Sequence, residues 1–442
     1  MKYIERVINN LVDKYPLEVE FHQAVKESLE SIEPFINSNS IYEKMSILER
    51  ITEPDRSICF KVTWLDDNNN IHVNRAYRVQ FNRSIGPYKG GLRFHPSVNL
   101  SIMKFLAYEQ TFKNAITGLP IGGAKGGSDF DPKGKSDFEI MRFCQSFMSE
   151  LFKYIGSSTD VPAGDIGVGA REVGYLFGQY KKLTSLHDGV LTGKGLDIDG
   201  LLGRQEATGY GLIYFTNHML EHNSDSIENK VICVSGAGNV AIHTVEKAIE
   251  LGAHVVTMSD SSGWIYDKNG INLEVVKKIK ENRRERISKY IEFEPSAIYK
   301  EGAFDWSVPC DIALPCATQN ELSIDSAKNL IKNSVKYVSE GANMPTTLEA
   351  TKLLLENGVI FGPAKAANAG GVSSSVIEMS QNSSKMHFDS KFSDDKLKSI
   401  MKSIFSDVSH TAEEFGDKNN YILGANILGF KRVSSAMISE GI

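Results

Sequence analysis

Lys89, Lys113 and Lys125 stand in one glycine-rich stretch, which reads Gly86-Pro-Tyr-Lys-Gly-Gly-Leu-Arg-Phe-His-Pro, then Gln110-Thr-Phe-Lys-Asn, then Gly122-Gly-Ala-Lys-Gly-Gly. Lysine is ordinarily a solvated surface residue, and burying its ammonium is costly unless a counter-charge meets it. Two of these lysines precede glycine pairs, with no carboxylate close by in sequence. Glycine lets backbone approach a ligand closely, and an ammonium is a compact charge to offer an anion. Any one of the three alone reads as an ordinary loop lysine. Together they read as cations converging on a small cavity, which suits a substrate with more than one carboxylate. One of them would then have its pKa lowered by like-charged neighbours.

Asp165 lies in a Gly-rich loop just before a helix. As a helix N-cap its role would be local. Facing Lys125, it would carry protons with a pKa set by that cation. Sequence leaves both readings open. His95 and His243 are read as structural.

A second group of residues points to a dinucleotide. Val231-Ile-Cys-Val-Ser reads as a short apolar strand, followed by Gly236-Ala-Gly-Asn-Val-Ala and a helical run to about Leu251. His254-Val-Val-Thr-Met reads as the next strand, with Asp260 at its end. This is a βαβ unit with a G-x-G-x-x-A turn, in which Gly236, Gly238 and Ala241 let a pyrophosphate sit on the helix N-terminus beside Asn239 and Val240. Asp260 would bind the adenosine ribose of NAD and repel a 2′-phosphate. Ser261, Ser262 and the basic cluster Lys280, Arg283 and Arg284 suit a phosphate monoester instead. The serines favour NADP as cofactor, with NAD the alternative; as a bare cluster, the cations would be the solvated face of a helix.

The elements that must position these groups follow from periodicity. Phe21, Val25, Leu29 and Ile32 recur at helical spacing, and Pro34 stops that helix. Ser57 to Leu65 and Ile71 to Phe81 form a hairpin around Asp66-Asp-Asn-Asn-Asn. A helix from about Ser101 to Ala115, ending at Gly118, puts Gln110 and Lys113 on one face. Helices around Asp137–Tyr154 and Gly167–Lys181 are separated by a loop, Asp160-Val-Pro-Ala-Gly-Asp. Beyond Gly200, strand-plus-loop units at Ile312, Tyr337 and Val359 imply a parallel sheet whose ligand lies past the carboxyl ends of its strands. The last 60 or so residues are helical in pattern.

At 442 residues the chain exceeds one ordinary core. The expected fold is α/β in two domains: an N-terminal α/β substrate domain, a Rossmann-like dinucleotide-binding domain and a cleft between them. A net charge of −6 argues against nucleic acid or a membrane surface. No apolar run approaches a bilayer span, and the N-terminus lacks the apolar core of a signal peptide. The five scattered cysteines fit reduced thiols of a cytoplasmic protein, and no metal-ligand spacing is present.

The motifs together resemble the hexameric NADP-type glutamate dehydrogenases of the Glu/Leu/Phe/Val dehydrogenase superfamily. The likeness runs from about residue 15 to the C-terminus and is carried by Pro87-Tyr-Lys-Gly-Gly-Leu-Arg-Phe-His-Pro, Leu119-Pro-Ile-Gly-Gly-Ala-Lys-Gly-Gly, Asp160-Val-Pro-Ala-Gly-Asp-Ile-Gly-Val, Glu206-Ala-Thr-Gly-Tyr-Gly and Ala364-Lys-Ala-Ala-Asn-Ala-Gly-Gly-Val. The resemblance implies reversible deamination of L-glutamate to 2-oxoglutarate and ammonia, favouring reductive amination. It implies Lys125 as the catalytic lysine and Asp165 as its proton-transfer partner. Lys89 and Ser375 would hold the side-chain carboxylate, and Gln110, Lys113 and the Gly164 backbone the main-chain groups. Thr208 and Asn239 would contact NADP, with Asn343 and Asn368 near nicotinamide or substrate. It further implies a homohexamer, a substrate and oligomerisation domain over 1–200, a nucleotide domain over 201–372, and C-terminal helices over 373–442 that link back to the first domain. The rivals are an NAD-dependent catabolic enzyme and a non-catalytic nucleotide-binding regulator on the same fold.

Overall fold

A computed structural model describes residues 2–441 and divides the chain into two compact units. The first gathers the chain up to Arg204, Ser374–Ser393 and the stretch from Asn426 onward. The second comprises Gln205–Ser373 and Asp394–Ala425.

The first unit is built on a five-stranded sheet of β1 (Arg56–Leu65), β2 (Ile71–Asn82), β3 (Tyr88–Phe94), β4 (Gly123–Ser128) and β5 (Asp160–Gly164), in the order β1-β2-β4-β3-β5. β1 and β2 form the expected hairpin, with Arg56 opposite Gln80 and Leu65 opposite Ile71. Its turn is closed by Asp66, whose Oδ1 accepts the backbone N–H of Asn68 and Asn70, while Asn69 takes the left-handed conformation that asparagine tolerates. β4 runs antiparallel to β2 and parallel to β3, which is parallel to β5.

Two sequence expectations change here. The glycine-rich segments carrying Lys89 and Lys125 are strands rather than loops, and so is Asp160–Gly164. Proline and glycine weaken strand propensity, but β5 is an edge strand, where Pro162 need not donate to a further neighbour. Aromatic packing holds one face of this unit: Phe130 stacks on Phe143 at 3.8 Å, with Trp64, Phe94 and Phe147 around them. The helix Asp137–Leu151, begun by a Ser136/Glu139 capping box, brings Phe143 and Phe147 there. The helix Val19–Ser31 buries Phe21, Val25 and Leu29, and Pro34 opens a separate short helix, Glu33–Asn37.

The second unit carries a seven-stranded sheet of β6 (Val231–Val234), β7 (His254–Asp260), β8 (Gly263–Tyr266), β9 (Ile298–Glu301), β10 (Ile312–Leu314), β11 (Tyr337–Ser339) and β12 (Ile360–Gly362). Their order is β12-β11-β10-β6-β7-β8-β9. The five strands from β12 to β7 are parallel, as the βαβ pattern requires. The fully parallel expectation does not extend to β8 and β9, which add antiparallel at the edge. The chain leaves β6 for β7 on one side and returns to β10 on the other, so the sheet switches direction at β6. Among the described residues no helix is long and apolar enough to cross a membrane.

Candidate functional site

Strand alternation and register decide which side chains of the first unit share a face. Leu92 lies opposite both Gly126 of β4 and Gly164 of β5. Side chains alternate along each strand and match across paired strands, so Lys89, Gly91, Arg93, Lys125 and Asp165 project to the same side. Gly91 leaves the room they need: a Cβ there would stand 2.9 Å from the Asp165 Cβ and 3.4 Å from Lys125 Nζ. The helix Leu100–Ile116 packs closely on β4, with Thr111 where any side chain at Gly123 would have to go.

Lys125 Nζ is 3.2 Å from Asp165 Oδ1, with both side chains largely buried. Asp165 Oδ2 accepts from Arg93 Nε at 2.8 Å. Asp165 is therefore no N-cap; the helix Ala170–Thr184 is capped at Gly169, whose N–H donates to Glu172. Burial depresses the Lys125 pKa and the Asp165 charge opposes that, while Arg93 and Arg78 push it further down. Burial alone would raise Asp165, yet the cations Lys125 and Arg93 hold it below the ordinary carboxylate value. Lys113 falls to about 8, from burial first and then from the Lys125 charge. Gln110, on the same helix, donates to Asn114 Oδ1 at 2.6 Å.

Lys89 is 2 % exposed, and its Nζ donates to Thr192 Oγ1 at 2.8 Å. Burial, reinforced by the charges of Arg204 and Arg78, lowers it to about 7. Thr192 leads into Gly193 and Lys194, whose backbone N–H groups both donate to Glu378. Glu378 is fully buried and ion-paired to Lys194 Nζ at 2.7 Å. Ser375, buried one helical turn before Glu378 in the helix Gly370–Ser384, lies on the same face as that carboxylate. Arg204 Nε is buried and meets no acceptor, and burial lowers the guanidinium pKa.

Arg93, Thr192, Arg204 and Glu378 were not singled out by sequence reasoning. Arg93 stands inside a quoted motif, and its spacing of four from Lys89, an even number that puts both on one face of a strand, is the signal that could have found it. Thr192, Arg204 and Glu378 lie 103 or more positions from Lys89 and give no local signal. His95 bonds Ser97, and His243 bonds the Asn239 carbonyl, both within one turn of themselves.

In the second unit β6 runs through Gly236, at φ +87°, into the helix Asn239–Glu250. Gly238 occupies the N-cap with no side chain capping the helix, and a Cβ there would meet nothing within 4 Å. Open space before an uncapped helix start fits a dinucleotide pyrophosphate. Asn239 Nδ2 donates to the Gln205 carbonyl at 2.7 Å, and Val240 follows it, half-buried. Thr208, on the helix Ala207–His222, has its Oγ1 2.7 Å from where a Cβ would be at Gly371. Asn368 Nδ2 donates to Asn343 Oδ1 and to the Ala342 carbonyl, both at 3.1 Å, bringing those two asparagines together. Glu340 ties the same segments: it accepts from Thr346 N at 3.3 Å and from Ala364 N at 2.8 Å, and burial raises it to about 7.

Asp260 is fully engaged. Its Oδ2 accepts from Lys280 Nζ and from the Ile287 N–H, and its Oδ1 from the backbone N–H and hydroxyl of Ser262. Burial would raise its pKa, but these contacts bring it to about 2. Lys280 is thus turned to Asp260 and the Glu285 carbonyl. Arg283 stands 3.7 Å from Glu285 and stacks over Phe293, and Arg284 is in a left-handed turn. The guanidinium on Ser261 is that of Arg286, whose Nη1 donates to Ser261 Oγ at 2.6 Å. Arg286 was missed although it continues the same basic run.

Residues 200–441 match the family described as Glutamate/Leucine/Phenylalanine/Valine dehydrogenase, and residues 54–182 match the Glu/Leu/Phe/Val dehydrogenase dimerisation domain. An NADP-specific glutamate dehydrogenase of Helicobacter pylori is 58% identical over 447 residues, covering 100% of both chains. One from Escherichia coli is 54% identical, covering 99% of this chain and 98% of its own. The crystal structure of a Plasmodium falciparum glutamate dehydrogenase superposes with a TM-score of 0.97 at 49% identity, covering 99% of this chain and 94% of that one. With both family domains matched and such identity over its full length, the chain belongs to the Glu/Leu/Phe/Val dehydrogenase family.

Proposed function

We infer that the chain is an NADP-dependent glutamate dehydrogenase, interconverting L-glutamate with 2-oxoglutarate and ammonia. The observation that carries this is the buried Lys125–Asp165 pair on the same sheet face as Lys89. Lys89, together with Ser375 and with the Arg204 charge acting on it, takes the side-chain carboxylate, and Lys113, Gln110 and the Gly164 backbone take the α-carboxylate and amine. An apolar substrate would leave the Lys89 ammonium buried without an anion, which disfavours the branched-chain and aromatic amino acids. Gly236, Gly238, Asn239 and Val240 hold the dinucleotide pyrophosphate, Thr208, Asn343 and Asn368 its nicotinamide half, and Ser261 and Arg286 the 2′-phosphate. Lys280 neutralises Asp260, removing the acid's repulsion of that phosphate, so the motif's argument for NAD loses its force. Arg283 lies in the same region as a further cation.

Bound by these residues, NADP would supply the acceptor for the α-hydrogen of glutamate as hydride. Lys125, in the neutral form that burial favours, takes a proton from the water that attacks C2 of 2-iminoglutarate. Asp165, ionised at rest, relays that proton from Lys125 to the departing amine, which leaves Lys125 neutral again, and the hydroxyl proton is released as the carbonyl forms. The reverse sequence aminates 2-oxoglutarate, the direction we assign to the cell. We assign substrate binding and assembly to residues 1–200, dinucleotide binding to 201–372 and the C-terminal helices to 373–442. We further propose a cytoplasmic homohexamer, supported by the dimerisation-domain match and five free thiols. The exposed apolar side chains Ile71, Val73 and Phe138 also support assembly. The deciding assay follows absorbance at the nicotinamide band with 2-oxoglutarate and ammonium: NADPH should be consumed, and NADH much more slowly. No consumption of either would reject the reading.

A further inference from the structure

The carboxylate of Asp165 has two oxygens and two cations, one for each. Oδ1 faces Lys125 Nζ and Oδ2 faces Arg93 Nε. These partners are not equivalent. A guanidinium keeps its proton throughout the accessible pH range, whereas Lys125 has to lose one to act as a base. Were Lys125 the only partner, its neutral form would leave a largely buried carboxylate unpaired. The pair would then hold itself in the charged state and the lysine would be a poor base.

We propose that Arg93 is a positioning residue for proton transfer: by holding Oδ2 it keeps the Asp165 carboxylate ionised and aimed at Lys125 whichever protonation state the lysine is in. This rests on the reading of Lys125 and Asp165 as the proton-transfer pair. Three further observations support it. Arg93 is a like charge to Lys125 and favours its neutral form. Its backbone is fixed by two neighbours, since β3 lies between β4 and β5. Opposite Arg93 stands Gly127, where a Cβ would come 2.1 Å from the Arg93 carbonyl oxygen, so the strands pack at backbone distance. The other charges acting on the pair come from Arg78 on β2 and Lys113 on the helix Leu100–Ile116, with Glu109 beside Lys113. Arg78 is itself committed to Asp160 and the Gly90 carbonyl.

The test is the pH profile of kcat/KM for glutamate with saturating NADP, using the full-length enzyme. Arg93→Met should move the acid limb to higher pH by about one unit, roughly a tenfold loss at a fixed pH on that limb. Arg93→Lys, which restores a cation but not the fork, should return the limb most of the way. A limb that stays in place while the rate falls would overturn the proposal, as would an Arg93→Lys limb displaced as far as that of Arg93→Met. Thermal unfolding followed by circular dichroism reports the fold of each variant. If Arg93→Met does not fold, Arg93→Gln keeps a donor without the charge and carries the same expected shift. Lys125→Ala in the same assay separates the two readings: if it turns over normally, the proton-transfer pair itself is misassigned. If it is inactive and the limb ignores Arg93, only the present inference fails.

Discussion

Lys280 Nζ and Asp260 Oδ2 stand 2.8 Å apart, and this pair decides how an acidic residue can sit beside a 2′-phosphate site. With its four hydrogen bonds directed inward, Asp260 presents no free oxygen to the cofactor. Removing the lysine releases a partly buried negative charge where a phosphate would bind. Lys280→Met should therefore raise the KM for NADPH about tenfold or more while changing that for NADH little. Steady-state kinetics with both cofactors check this, and equal changes would show that Lys280 has no bearing on selectivity. Arg286→Ala should act in the same direction.

Lys89→Leu removes the buried cation on Thr192. Losing a charge-assisted contact to the side-chain carboxylate should cost about 3 kcal/mol, roughly 100-fold in kcat/KM for glutamate, and relatively favour apolar 2-oxo acids. An unchanged substrate profile would refute its assignment.

Lys125→Ala should lower turnover by roughly 1000-fold or more, since both the base and the partner of Asp165 are lost. NADPH binding, measured by fluorescence titration, should persist, because its proposed contacts are in the second unit.

Lys194 and Glu378 form a pair with side chains 1% and 0% exposed. Deleting one partner strands a buried charge, so Lys194→Met should destabilise the protein by about 3–5 kcal/mol. Denaturant unfolding would detect it, and a loss under about 1 kcal/mol would mean that Glu378 is satisfied by the backbone donors of Gly193 and Lys194.

Glu340 offers a pH test of stability. Its folded pKa of about 7 stands above the ordinary value of 4.5, so the folded protein binds this proton more tightly than the unfolded chain. The group's contribution is most favourable below the lower value and is lost as pH rises to the upper one. Glu340→Gln should therefore flatten the fall in unfolding midpoint between about pH 4.5 and 7. Parallel profiles for the two proteins would remove Glu340 from that role.

How far these features could be read in advance depended on how local their cause was. The hairpin around Asp66, the helix carrying Phe21 and Val25, and the βαβ unit at Gly236 each announce themselves by periodicity and turn chemistry. β3, β4 and β5 do not, because Gly90, Gly91, Gly126 and Pro162 oppose strand propensity and the pairing partners are supplied from elsewhere in the chain. Lys89, Lys125 and Asp165 were legible as residue types. That Lys89 meets Thr192, and that Glu378 stands behind it, comes from contacts spanning up to 185 positions. The tie between Lys280 and Asp260 was likewise invisible, since it depends on how the segment before Ile287 folds back.

The glycines of β3 and β4 carry a consequence for anyone mapping this protein by mutation. A methyl group at Gly90 would fall 1.6 Å from the Ala124 carbonyl oxygen, and one at Gly126 2.7 Å from that of Tyr77. A saturation screen scored on growth would thus rank these silent positions beside Lys125 in intolerance, although they have no functional group at all. Sensitivity in this part of the chain measures how closely two ribbons of backbone are pressed together, and only assays that separate folded amount from turnover will distinguish scaffold from reagent.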